Sequence, residues 1–117
     1  MKNNTESLPE GLEKFILTQF QTVTQVEVLC FFSRHIGVSF STLSLCQRLF
    51  LSETLTLQSL ARLIHLGYVL EENSNFMYVE ANPAEARGYL QELVRLFESN
   101  KGRIVELLFN SVTREDL

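Results

Sequence analysis

The sequence predicts a mainly α fold with a small β-hairpin: a helix-turn-helix pair runs straight into the hairpin, and a long helical segment closes the chain. Three observations predict it. Helix-start signatures recur along the chain, at Ser7-Leu8-Pro9-Glu10, Thr24-Gln25-Val26-Glu27, Ser41, Ser52 and Asn82-Pro83-Ala84-Glu85. An apolar stripe, Leu57, Leu60, Leu63 and Ile64, ends at Gly67, where a helix stop is expected. Two short β-type runs, 68–70 and 76–79, then flank the turn cluster Glu72-Asn73-Ser74-Asn75.

Taken in order, residues 1–7 are polar and expected to be disordered. Helix one is expected over about residues 8–20, with Leu12, Phe15, Ile16 and Phe20 at helical spacing. Helix two is expected over about 25–35, started by the Thr24 signature and ending before Gly37. It is apolar on most sides and so should lie centrally. A very short strand can follow Gly37. Ser41 should cap helix three, 42–49, with Leu45, Cys46 and Leu49 facing inward. Ser52 should cap helix four, 53–66. The remainder, 83 to about 112, reads as helix with a broad stripe of Leu90, Leu93, Val94, Phe97, Ile104, Leu107 and Leu108, and Asn100-Lys101-Gly102 is the place for a bend or break.

The chain has 117 residues, one domain's worth, of which 45% are apolar, including nine Phe, enough to fill a core. It lacks a run of the roughly 18 apolar residues a membrane span needs and a signal-type N-terminal stretch, so a soluble, cytoplasmic protein without membrane contact is expected. Two cysteines on separate helices form neither a disulfide framework nor a metal-ligand spacing. Both read as small core residues. His35 and His65 stand without ligand neighbours. No nucleophile-base set and no phosphate loop is visible, so the expectation is a non-enzyme with no cofactor and no metal.

The order helix, helix, helix-turn-helix, hairpin, long helix is that of a winged helix. The phrase from Ser41 to Val69, with Leu60-x-x-Leu63-x-x-x-Gly67-Tyr68-Val69, resembles bacterial winged-helix transcription regulators of the MarR-like and ArsR-like kind. The whole of 8–112 is similar to a group of small, largely uncharacterised bacterial winged-helix proteins. The shared features are the opening Leu8-Pro9-Glu10-Gly11-Leu12, Tyr78 and Pro83 after the wing, and the closing Arg103-Ile104-Val105-Glu106-Leu107-Leu108. This resemblance implies a winged-helix domain over 8–82, including the N-terminal helix, and a helical dimerisation segment over 83–117.

It also implies a DNA-facing surface: Thr54, Gln58, Ser59 and Arg62 on helix four, with Ser41 and Thr42 near phosphates at the start of helix three. The C-terminal stripe, with Leu90, Phe97 and Ile104 seven apart, suits a homodimer contact through Leu90, Leu93, Phe97, Ile104 and Leu108. Two recognition helices about 34 Å apart would then meet successive turns of double-stranded DNA.

Charge runs against that reading. Net charge is −4, and residues 23–80 hold Arg34, Arg48 and Arg62 against Glu27, Glu53, Glu71, Glu72 and Glu80. Phosphate binding by counterion release needs the opposite balance. The wing tip carries no cation, and Leu43, Phe50 and Leu55 stand where a polar side chain is usual. The expected function is therefore a dimeric DNA-binding transcription regulator, and the alternative is a winged helix that binds a protein partner rather than DNA.

Overall fold

The first described helix of the computed structural model is started by glycine. The structure describes residue 8 and residues 11–80 and 84–115, with side chains through residue 110. The expected caps at Ser7, Pro9, Glu10, Asn82 and Pro83, and the expected disorder of 1–7, lie outside the described residues. Helix α1, Leu12–Gln19, is shorter than the expected 8–20. Its N-cap Gly11 is left-handed, with φ 89°. A Cβ there would run into the Tyr89 hydroxyl and lie 3.2 Å from its ring carbon Cζ. Only glycine meets both the dihedral and the space. Tyr89 in turn stacks on Phe15, with centroids 4.9 Å apart.

Helix α2, Val23–Ser33, starts two residues earlier than expected. Thr22, not Thr24, is the cap. Its Oγ1 accepts from the Gln25 backbone N–H at 3.2 Å, and the Gln25 side-chain oxygen accepts from the Gln21 N–H at 2.7 Å. Thr22-x-x-Gln25 is itself a capping-box spacing, overlapping the one at Thr24. As its all-round hydrophobicity predicts, α2 is central: Val26, Val28, Leu29, Cys30, Phe31 and Phe32 are all buried. It packs against α4, α5, α6 and β3 as these are laid down around it.

Strand β1, Ser39–Ser41, leads straight into α3, Thr42–Leu49, and α4, Glu53–Leu66, follows. Both helices take the expected spans and caps. Ser41 Oγ accepts from Ser44 N–H at 3.1 Å, and Ser52 Oγ from Leu55 N–H at 3.2 Å. Gly67 closes α4 with φ 86°, and Tyr68 N–H returns to the Leu63 carbonyl at 2.9 Å. Strands β2, Val69–Glu72, and β3, Asn75–Tyr78, form the hairpin around Asn73 and Ser74, both at positive φ, as a two-residue primed turn requires. β1 adds to β3, giving a three-stranded antiparallel sheet in the order β1-β3-β2.

The stretch after residue 83 is two helices, α5, Ala84–Ser99, and α6, Lys101–Glu115, broken at Asn100. Both pack on α1 and α2. One core joins the described elements through residues such as Ile16, Phe20, Phe32, Phe40, Leu63, Phe76, Leu93 and Ile104. No single described helix is long and apolar enough to cross a membrane. The α1–α2 pair together has the length and composition, but it is bent by 105° and its apolar residues fill the core.

Burial of Cys30 has a measurable consequence. Desolvation is the main cause that pushes its thiol from the ordinary 9.0 up to about 12; Arg34 opposes it, and Glu98 and Glu27 reinforce it. Desolvation also raises Tyr68 and Tyr78. A thiol that holds its proton more tightly when folded stabilises fully below pH 9.0, and the gain is withdrawn as pH climbs toward about 12. Thermal melts should therefore show stability falling above about pH 9. Cys30→Ala should flatten part of that fall, the tyrosines keeping the rest. An unchanged slope in the variant would refute the assignment.

Candidate interaction face on the helix-turn-helix pair

The face begins with how α4 is rotated. The expected inward stripe was Leu57, Leu60, Leu63 and Ile64. The buried set is Thr56, Ser59, Leu60 and Leu63, and Leu57 and Ile64 are exposed. Both sets have helical spacing and share Leu60 and Leu63. The small side chains win because α4 lies against α2 and α3, and small residues at a contact let helix axes approach. Cys46 Sγ meets Thr56 Oγ1 at 3.3 Å, and that hydroxyl donates to the Ser52 carbonyl at 2.8 Å.

This rotation corrects two of the expected DNA-facing residues. Ser59 is 2% exposed, so its hydroxyl has no outer surface to read. Arg62 turns back onto the C-terminal end of α1: Nε donates to the Gln19 carbonyl at 2.9 Å and Nη2 to the Thr18 carbonyl at 3.4 Å. The guanidinium sits on unsatisfied carbonyls at the negative end of that helix, a favourable place for a cation. Tyr68 Oη reinforces the same joint by donating to Gln19 Oε1 at 2.7 Å. Ser41, Thr54 and Gln58 are exposed and Thr42 is half-buried.

The other two arginines of 23–80 are also engaged. Arg34 Nη1 pairs with Glu98 Oε2 at 2.8 Å, and the Arg48 guanidinium lies 5.4 Å from the Phe40 ring centroid. On α5 and α6, Arg87, Arg95 and Arg103 pair with Glu80, Glu92 and Glu106. Exposed pairs like these add little stability, but each lowers the positive potential available to a phosphate.

What the outer face does present is apolar. Leu43 is 67% exposed and Phe50 92%, and Leu55 and Leu57 are exposed at the start of α4, on different sides of that helix because they are two residues apart. Leu43, Gln47 and Phe50 follow one another at helical spacing. Phe50 is also the left-handed C-cap of α3, φ 58°, with the Leu51 N–H donating to the Cys46 carbonyl at 3.1 Å. That position favours glycine, and a bulky residue there costs on the order of 1–2 kcal/mol. The sequence signal for it was present: a three-residue joint between two helices with neither Gly nor Asn in it.

The expected dimer residues lie elsewhere than an outer face. Leu90, Leu93, Phe97, Ile104 and Leu108 are all buried in the chain's own core, so a second copy would not meet them. The exposed apolar side chains of α6 are Val105 and Phe109. Among the described residues there is no cluster of three or more His, Cys, Asp or Glu that could hold a metal ion. Comparison with family models, with curated proteins and with solved structures returns no match.

Proposed function

We propose that the chain is a winged-helix module that docks a partner protein through the outer face of α3, the 50–52 turn and the start of α4. The element order supports the winged helix: β1 stands directly before the α3–α4 pair, and the β2–β3 hairpin directly after it serves as the wing. The observation that carries the docking reading is the contrast on one face. All three arginines of 23–80 make intramolecular contacts, Arg34 and Arg48 from exposed positions, while Leu43, Phe50 and Leu55 stand in water with no packing against the core. A strong DNA binder neutralises roughly 6–10 phosphates with cations. Covering one Leu or Phe side chain instead returns about 1.5–3 kcal/mol, and several together can offset the cost of association.

Double-stranded DNA is the second reading, favoured by the outward Thr54 and Gln58 and by the exposed Ser41 at the head of α3. The two separate cleanly. A photo-crosslinking phenylalanine analogue at position 50, in cells that express the gene, should give one discrete protein adduct, absent when Leu55→Asp is added to a chain that circular dichroism shows folded. The identified partner, purified, should rebind in stoichiometric amount. A nucleic-acid adduct, or retardation of the gene's upstream duplex over a scrambled one at low salt, would overturn the docking reading in favour of a DNA regulator. An adduct of the chain with itself would replace the partner by a second copy.

A further inference from the structure

The docking face has an acidic margin, and that margin specifies its partner. Ser41, the last residue before α3, pairs with Asn75, which also pairs with Glu72. The wing tip therefore stands beside the first turn of α3, where Leu43 is exposed. Glu71 and Glu72 are exposed at that tip, and exposed Glu53 opens α4 three residues after Phe50. None of the three makes an ion pair among the described residues. A partner that covers Leu43 and Phe50 strips water from these carboxylates. Carboxylates that lose water without gaining a cation are strongly unfavourable, so an apolar cover alone is opposed at its own rim. An anionic surface, nucleic acid included, is repelled outright.

We infer that the occupant of this face is a basic amphipathic segment of a partner protein, its apolar side chains over Leu43, Phe50 and Leu55 and its Lys or Arg side chains against Glu53, Glu71 and Glu72. The inference rests on the protein-docking reading and adds the chemistry of the partner. Phe50 is the anchor: its backbone holds a conformation that aromatic residues rarely adopt, and at 92% exposure no internal contact of its ring repays it. Aromatic anchors at the centre of an interface, with charges at the rim, are where binding energy concentrates.

The probe is a pair of synthetic helical peptides of equal length, one of leucine and lysine in amphipathic spacing and the other of leucine and glutamate. Each is titrated into the full-length, isotope-labelled chain and followed by amide chemical shifts. The lysine peptide should move amides of 43–58 and 71–75, and the glutamate peptide should not. Phe50→Ala should weaken the lysine peptide about tenfold or more. Glu71→Gln with Glu72→Gln should also weaken it, and should reduce its salt dependence. Glu13→Gln with Glu85→Gln, which removes the same charge from α1 and α5, should leave it unchanged.

Equal effects of the two peptides, or equal weakening by the control pair, overturn the inference, because binding would then follow hydrophobicity or net charge alone. If neither peptide binds while the position-50 crosslink to a protein persists, the basic partner is wrong and the docking reading stands. Absence of that crosslink brings down the docking reading itself.

Discussion

Leu93→Ala is expected to lower the stability of the folded chain by about 3–4 kcal/mol, at every protein concentration. The side chain is fully buried on α5, in the core that α1, α2 and α6 share. Truncating a buried Leu removes the transfer free energy of its methyl groups and leaves a cavity that the surrounding helices only partly close. For a domain of this size the melting temperature should fall by about 10–15 °C. The concentration arm is decisive. A leucine that served a dimer contact would leave a folded protomer behind, and its loss would weaken with rising protein concentration. A core leucine gives the same loss when dilute and when concentrated. Thermal melts over a wide concentration range read the difference. A concentration-dependent midpoint in the parent, with a Leu93→Ala loss that shrinks as concentration rises, would show that α5 is held by a second copy.

That comparison marks where the sequence was legible. Short-range chemistry was: Ser41, Ser52 and Gly67 define α3 and α4 to the residue, because caps and stops act within one turn. The same reading fails where two local solutions overlap. Thr22-x-x-Gln25 and Thr24-x-x-Glu27 are equally good helix starts, and α2 takes the first. On α4, hydrophobicity favours Leu57 and Ile64 inward, whereas close packing against α2 and α3 favours Thr56 and Ser59.

Long-range partners were not legible at all. Arg62 is anchored on carbonyls 43 and 44 residues away, and nothing at helical spacing announces that. The stripe on 90–108 was visible, but periodicity says only that a face is covered, not by which chain. The break at Asn100 lets α5 and α6 both reach α1 and α2, and the chain covers the stripe itself. The acidic, apolar character of 41–72 was legible throughout, because charge and hydrophobicity are properties of composition.

Ser59→Arg should destabilise the chain by about 3 kcal/mol or more and gain no affinity for DNA. Ser59 was expected on the reading face of helix four, where an arginine would add a phosphate contact. It is instead 2% exposed, on the side of α4 that carries Thr56, Leu60 and Leu63 inward. The new side chain must either overpack that contact, at about 1–3 kcal/mol, or hold an unpaired charge out of water at a cost of several more. Partial escape of the guanidinium toward solvent along its methylene stem sets the lower bound.

Gln58→Arg is the companion, one residue away but exposed. It should change stability by no more than about 0.5 kcal/mol. Denaturant unfolding of the two variants beside the parent gives both values. If the two cost the same small amount, α4 is rotated as the sequence suggested, with Leu57 and Ile64 inside. If only Ser59→Arg collapses the fold, the face of α4 open to a partner is the one bearing Thr54, Leu55 and Gln58, a surface whose arginine, Arg62, is held on the α1 carbonyls.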